Sequence, residues 1–147
     1  MHEFPHLYQV LASSEMDGVV RVAAAQLPTL ETGAPPEFGG REGLWSPETL
    51  LSAAVADCFI LSFRAIARAS KLAWEKLECR VEGRLDRVDG VTRFTHFDIH
   101  AELSLAEAER RAIAERCLQK AEKSCLITNS LLSDTELHFQ IVLADKA

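Results

Sequence analysis

The sequence predicts an α+β fold, and three patterns along its 147 residues support that prediction. Two strand-like stretches, Leu77–Val88 and Val91–Leu103, are joined by Asp89-Gly90, a dipeptide typical of tight β-hairpin turns. Two stretches with helical character, Leu50–Ala69 and Ser104–Lys123, lie on either side of that hairpin. Hairpins combined with separate helices are typical of α+β proteins.

The remaining strands are predicted at the two ends of the chain. His6–Ala12 and Val19–Gln26 show weak strand patterns with a turn between them, and Glu136–Leu143 shows a final strand. The stretch Glu31–Gly43 contains two prolines and four glycines and is predicted to be a loop. The predicted order is β-β-α-β-β-α-β in a single domain spanning residues 1–147.

The first helix is predicted to begin at Ser46-Pro47-Glu48. Serine is a favourable N-cap, proline is tolerated at the first helical position, and an early glutamate complements the helix dipole. From Leu50 to Ala69 apolar residues occupy almost every side of the helix. Such a helix is typically buried. We therefore expect the sheet, another helix or a second subunit to cover it.

The strand Val91–Leu103 has one apolar and one polar face. The alternation puts four apolar residues on one side: Phe97, Ile99, Ala101 and Leu103. It puts four polar residues on the other: His96, Asp98, His100 and Glu102. This pattern is typical of an antiparallel sheet that is covered on one side only. Ser104 and Glu107 have the spacing of a capping box and predict the start of the second helix.

Composition and charge exclude several function classes. The chain is 48% hydrophobic and 26% charged, as ordinary soluble proteins are, and its formal net charge is −6. The negative charge argues against nucleic acid or an anionic membrane surface as a partner. The first 18 residues lack the pattern of a signal peptide, and no uncharged apolar run reaches the length of a membrane span. We therefore expect a cytoplasmic protein without a membrane partner.

Four cysteines offer candidate chemistry. In a reducing compartment they are expected to be free, catalytic or metal-bound, and the absence of close pairs argues against structural zinc. Cys58 lies within the apolar helix, where a cysteine usually serves as a small hydrophobe and a reactive thiolate needs a nearby cation. Cys125 follows the second helix and is expected to be partly open to solvent, whereas Cys79 and Cys117 are expected to be packing residues.

The positions of two thiols determine what they can do. If Cys58 and Cys125 meet in space, one thiolate can attack a peroxide and become a sulfenic acid. The other thiol can then condense with it to form a disulfide. A disulfide requires Cα atoms about 4.4–6.8 Å apart, which the sequence does not reveal.

Other chemistries remain open at this point. His96, Asp98 and His100 are metal-ligand types, but they lie about 7 Å apart along one strand, so a metal would need ligands from an adjacent strand. We expect a solvated face, with neither metal nor cofactor. A Cys-His hydrolase and an apolar cavity that binds a hydrophobic ligand, with incidental cysteines, are further alternatives.

Two segments resemble signatures of the family of osmotically inducible proteins and organic hydroperoxide resistance proteins, the OsmC/Ohr family. In Leu44–Phe59 a Pro-Glu-x-Leu opening leads ten residues later to Cys58, as in the family's long central helix. Ala121–Ser130 is similar to the segment around the family's second cysteine, although Leu126 stands where proline is common. The order of the flanking hairpins also agrees, so the resemblance covers nearly the whole chain.

The resemblance implies a fold, an activity and a set of site residues. The fold would be an intertwined homodimer with antiparallel sheets wrapped around long central helices. The activity would be reduction of organic hydroperoxides, with Cys58 as the peroxidatic and Cys125 as the resolving thiol. A dithiol, either a lipoyl protein or a thioredoxin-like protein, would restore them. Glu48 matches the family's acid, which pairs with an arginine that holds the thiolate; Arg41 is the preferred candidate and Arg21 the alternative.

Overall fold

A computed structural model describes residues 1–144 and confirms the α+β class. The chain divides into two compact units, Met1–Leu51 and Ser52–Ala147. The strands and helices follow in the order β1 (Leu11–Ser13), β2 (Val20–Ala23), β3 (Leu30–Thr32), α1 (Pro47–Ala69), β4 (Lys76–Val88), β5 (Val91–Leu105), α2 (Arg111–Ser124), α3 (Leu126–Asn129) and β6 (Asp134–Leu143).

The first unit contains a small antiparallel sheet in the order β1-β2-β3. The first predicted strand is wrong over residues 6–10, because β1 overlaps it only at Leu11 and Ala12. The second is confirmed over Val20–Ala23 and ends before the backbone turns at Gln26, where φ is 65°. The predicted loop is wrong at its start, because Glu31 and Thr32 belong to β3. Thr32 fixes this strand by donating a hydrogen bond from its hydroxyl to the carbonyl of Val20, at 3.4 Å.

Helix α1 begins where the sequence predicts. The Ser46 hydroxyl accepts a hydrogen bond from the Thr49 amide at 3.1 Å, and the Ser46 amide donates to the Thr49 hydroxyl at 2.9 Å. This reciprocal pair satisfies amides that the first turn of a helix leaves without partners. Pro47 occupies the first helical position, where its missing amide hydrogen costs nothing.

The buried face of α1 is narrower than the apolar composition of the helix suggests. A single stripe of residues spaced four apart is buried: Val55, Phe59, Phe63 and Ala67. Leu61, on another side of the helix, keeps 51% of its surface exposed. By length and composition α1 is apolar enough to cross a membrane, a property that it shares with core helices of soluble proteins. The chain described here therefore leaves an apolar side of α1 uncovered.

The second unit contains a three-stranded sheet in the order β4-β5-β6. Asp89 and Gly90 have φ values of 51° and 77°, which confirms the predicted tight turn between β4 and β5. The strands β5 and β6 pair in parallel, so this sheet is mixed rather than antiparallel throughout. A parallel partner requires a crossover connection, and α2 and α3 provide it.

The alternation predicted for β5 is confirmed over residues 96–103, where the apolar face is buried. One extra residue, Thr95, interrupts the pairing: Arg84 lies opposite His96 and Leu85 opposite Phe94. This bulge allows Phe94 and Phe97 to stack with ring centroids 5.2 Å apart.

Gly83 provides the space for that aromatic pair. A Cβ atom there would lie 2.7 Å from the Phe97 ring and 3.0 Å from the Phe94 ring, and 2.9 Å from the hydroxyl of Ser52 in α1. The absence of a side chain at this position therefore allows α1 and the two rings to approach β4 closely.

The predicted capping box is wrong. Ser104 belongs to β5, where it pairs with Lys76 and Val142, and its carbonyl accepts a hydrogen bond from the Glu75 amide at 2.8 Å. Pairing with strands on both sides satisfies its backbone better than a helix start would. A short 3-10 turn follows at Ala108–Arg110, and α2 begins only at Arg111.

Loss of the Phe63 ring is expected to destabilise the second unit. This ring is fully buried and packs edge-to-face against Trp74, with centroids 5.3 Å apart. Phe63→Ala should lower the free energy of unfolding by about 3–5 kcal/mol in urea denaturation, because it leaves a cavity. Phe38→Ala, at a ring that is 60% exposed, is the control and should cost about 0.5 kcal/mol or less. Equal losses in the two variants would contradict this description of the core.

Candidate functional site

Cys58 lies at an open apolar groove on the uncovered side of α1. Its side chain is half-buried, and its sulfur lies 3.9 Å from the hydroxyl of Ser62, one helical turn further on. The groove has a volume of about 490 Å³. Small and apolar residues of α1 and α3 form most of its lining: Ala54, Leu61, Ala65, Leu126 and Ile127. The groove therefore exposes the thiol to ligands that are largely apolar.

Cys125 lies between α2 and α3 and is fully buried, contrary to the expected partial exposure. The neighbouring Leu126 takes the exposed position instead, with 66% of its surface open. The backbone of Cys125 is extended, which ends α2, and its carbonyl accepts a hydrogen bond from the Thr128 hydroxyl at 3.2 Å. The side chain consequently points into the protein rather than towards solvent.

The environment of Cys125 favours a protonated thiol. Burial raises its pKa, hydrogen bonds from Thr128 oppose that effect, and the adjacent Cys58 raises the pKa further. Two of the predicted site residues, Cys58 and Cys125, are therefore close enough to influence each other. The structure brings together a half-exposed sulfur at the groove and a buried sulfur behind it.

Cys79, which was predicted to be a packing residue, is a third cysteine of this site and lies close to Cys125. Burial raises the pKa of the Cys79 thiol to about 11, and the nearby Cys125 adds to the shift. The alternation of β4 assigns Cys79 to the same face as Leu77, but Cys125, which acts on its thiol, lies 46 residues further along the chain. Cys117 is buried in α2.

Glu48 and the two candidate arginines belong to the first unit. The Oε1 atom of Glu48 is buried, and within residues 1–144 it has no hydrogen-bond partner. Arg21 forms an ion pair with Glu31 on the adjacent strand, at 3.9 Å. Arg41 is exposed in a glycine-rich loop and forms no ion pair with the residues that the structure describes. Neither arginine is thus paired with Glu48 in this structure.

Comparison with protein families gives a direct match. A family model described as OsmC-like protein matches residues 39–140. A Bacillus subtilis (strain 168) protein, named Uncharacterized protein YmaD, is 30% identical over 111 residues. That alignment covers 72% of this chain and 73% of the relative.

Solved structures with the same fold include proteins from several bacteria. An OsmC-like protein of unknown function from Vibrio cholerae has a TM-score of 0.83 at 16% identity, covering 92% of this chain and 100% of that one. An organic hydroperoxide resistance protein from Elizabethkingia anophelis has a TM-score of 0.75 at 16% identity, covering 97% and 100%. An organic hydroperoxide resistance protein OsmC from Legionella pneumophila has a TM-score of 0.73 at 23% identity, covering 95% and 99%.

The raised pKa of Cys79 predicts a low reactivity towards alkylating reagents. The thiolate is the reactive form, so a thiol with a pKa of about 11 is only about one thousandth ionised at pH 8, against about a quarter in an unfolded chain. Iodoacetamide labelling followed by peptide mass spectrometry should modify Cys79 about a hundredfold more slowly in the folded protein than in urea. Half-exposed Cys58 is the internal control. Equal labelling of Cys79 in both states would contradict the structure.

Proposed function

Because the chain belongs to the OsmC-like protein family, we propose that it is a thiol-dependent peroxidase that reduces organic hydroperoxides. The observation that carries this proposal is the pairing of a half-exposed Cys58 sulfur with a buried Cys125 sulfur beside it. Two proteins of the same fold are named organic hydroperoxide resistance proteins, which supports this substrate class.

In the first step the Cys58 thiolate attacks one oxygen of the peroxide bond. A sulfur–oxygen bond forms and the oxygen–oxygen bond breaks, so Cys58 is oxidised to a sulfenic acid and the peroxide is reduced. The leaving alkoxide takes up a proton and departs as an alcohol. The partial exposure of Cys58 gives the peroxide access to the sulfur, and the apolar groove suits a peroxide with an organic substituent.

In the second step Cys125 condenses with the sulfenic acid. A disulfide forms and water leaves, which consumes the Cys125 proton and the sulfenic hydroxyl. Cys125 is buried and its raised pKa keeps it protonated, so it is protected from direct oxidation until Cys58 has reacted. The hydrogen bonds from Thr128 favour the thiolate that this step requires.

A dithiol reductant completes the cycle. It reduces the disulfide by thiol–disulfide exchange, supplies two electrons and is itself converted to a disulfide. A lipoyl group or a thioredoxin-like protein has this chemistry. We propose a cytoplasmic location for the cycle, where such reductants are maintained.

A second copy of the chain is proposed to cover the exposed side of α1. Leu61 and Leu126 are 51% and 66% exposed in the chain described here, and both line the groove at Cys58. A homodimer packed on this side would bury these leucines and enclose the substrate. The reaction would then take place away from bulk water.

Glu48 and Arg41 are proposed to activate the site together. The buried Oε1 of Glu48 lacks a hydrogen-bond partner within residues 1–144, and a guanidinium would satisfy it. Arg41 is exposed and flanked by the glycines at 40 and 43, whereas Arg21 is engaged with Glu31. An arginine held by Glu48 would stabilise the negative charge that moves from the thiolate to the alkoxide.

Replacement of Cys58 tests the proposed activity. With cumene hydroperoxide and a dithiol, the Cys58→Ser variant should consume peroxide no faster than the dithiol alone, because a hydroxyl is a far weaker nucleophile than a thiolate. Cys117→Ser, at the buried cysteine of α2, is the matched control and should retain activity. Undiminished turnover in Cys58→Ser would refute the proposal and favour a ligand-binding role for the groove.

The disulfide can be observed directly in the same samples. Peptide mapping of the peroxide-treated wild type should recover a disulfide between Cys58 and Cys125 and leave Cys79 reduced. A disulfide between Cys58 and Cys79 would instead show that the third sulfur, and not Cys125, resolves the sulfenic acid.

Replacement of Arg41 tests the activating cation. Arg41→Gln should lower the second-order rate constant for the hydroperoxide by about a hundredfold, the usual cost of one lost donor to a developing charge. Arg41→Lys should be intermediate, because it keeps the charge but loses the planar fork. Arg21→Gln is the control and should react at the wild-type rate. A slow Arg21→Gln together with a normal Arg41→Gln would assign the role to Arg21.

A further inference from the structure

Three carboxylates form a row across the outer face of the second sheet. The strand register places Glu82 of β4 opposite Asp98 of β5, and Asp98 opposite Glu136 of β6. Like charges that face each other on adjacent strands destabilise a sheet. Within residues 1–144 no lysine or arginine forms an ion pair with any of the three. In the described residues, therefore, no permanently charged side chain compensates the negative charge of this row.

Two histidines converge on this row from either side. The Nε2 atoms of His96 and His138 lie 3.1 and 3.0 Å from the same oxygen, Oδ1 of Asp98. They also lie 3.8 and 3.9 Å from the carboxylate of Glu136. His100 stacks on the ring of His138, with centroids 4.6 Å apart and an interplanar angle of 14°, which restrains that ring. Two further residues of metal-ligand type, Glu136 and His138, come from β6, which is the strand adjacent to β5.

These separations match the edges of a metal coordination shell. Bonds of about 2.0–2.2 Å from Zn²⁺ to nitrogen and oxygen place tetrahedral ligand atoms about 3.4 Å apart. The four nitrogen–oxygen distances here run from 3.0 to 3.9 Å, and the ligand atoms of His96, Asp98 and Glu136 all lie within 4.8 Å of one another. The distances between the imidazole nitrogens and the carboxylate oxygens are therefore close to those that ligands of one bound ion would have.

We propose that His96, Asp98, Glu136 and His138 bind a divalent transition metal ion, with Zn²⁺ as the reference ion. Two imidazoles and two carboxylates form a ligand set that suits zinc and its neighbours in the first transition series. The side chains of His96 and Asp98 are 31% and 29% exposed, so the ion can enter from solvent. The proposal is independent of the cysteine chemistry, because these residues occupy the outer face of the sheet.

Metal binding would offset two of the three negative charges of the carboxylate row and link two strands. β6 is the edge strand of the sheet, and β5 is its partner in the strand order. An ion held by two residues of β5 and two of β6 would join these strands by side-chain bonds in addition to their backbone hydrogen bonds. Because the ion binds the folded sheet, it would stabilise the fold in proportion to its affinity and concentration.

The first experiment measures zinc binding by the full-length protein. After chelator treatment and buffer exchange, calorimetric titration with zinc chloride should give one ion per chain. Asp98→Asn should weaken the affinity by about a hundredfold or more, because loss of an outer-shell partner alone costs about 10–100-fold. Glu102→Gln is the matched control, on the same strand and face with the same change of charge, and should bind as the wild type does.

Two histidine variants and a spectroscopic measurement complete the test. His96→Gln should weaken binding, whereas His6→Gln, an exposed histidine in the first unit, should not. Co²⁺ should replace Zn²⁺ without the intense near-ultraviolet band that sulfur ligands produce. The proposal is overturned if the wild type binds no zinc, if Asp98→Asn binds as tightly as Glu102→Gln, or if the Co²⁺ spectrum shows cysteine ligation. A circular dichroism spectrum like that of the wild type ensures that weak binding by a variant does not reflect unfolding.

Discussion

The parallel pairing of β5 with β6 is the constraint on which the second unit depends. Antiparallel partners can be joined by a short turn, but parallel partners require the chain to return to the same end of the sheet. Here α2 and α3 make that return, and Cys125 lies at the break between them. The same pairing brings Glu136 and His138 beside Asp98 on the outer face. One strand pairing therefore determines the surroundings of both clusters of reactive side chains.

The three described sulfurs of the candidate site occupy different electrostatic environments. Cys58 reaches the groove, Cys125 is enclosed between helices, and Cys79 lies in the sheet with a pKa of about 11. Burial of a thiol favours its neutral form. The site thus combines one sulfur that opens on the apolar groove with two sulfurs whose pKa burial raises. Residue type alone does not create this division, because the surroundings of each thiol decide it.

Local signals predicted the parts of the fold that depend on neighbouring residues. Asp89-Gly90 specified the hairpin, and Ser46 with Pro47 specified the start of α1. The parallel position of β6, the burial of Cys125 and the closeness of Cys79 depend on residues far apart in sequence, so no local pattern contained them. The resemblance to a family supplied the pairing of Cys58 with Cys125, which the spacing of the cysteines alone left open. The capping pattern at Ser104 failed because strand pairing offered its backbone better partners.

The bulge at Thr95 gives β5 two phases of alternation. Before it, Phe94 faces the core; after it, the core positions are the odd-numbered ones from Phe97 onwards. If inward and outward residues are assigned by strict alternation from one end of β5, the residues beyond the bulge are consequently placed on the wrong face. Phe94 and Phe97 are three residues apart, so their rings would lie on opposite faces of a regular strand. The inserted residue brings both rings to the same face, where they stack. Both rings therefore pack over Gly83 on the core face, while His96 and Asp98 remain on the partly exposed outer face.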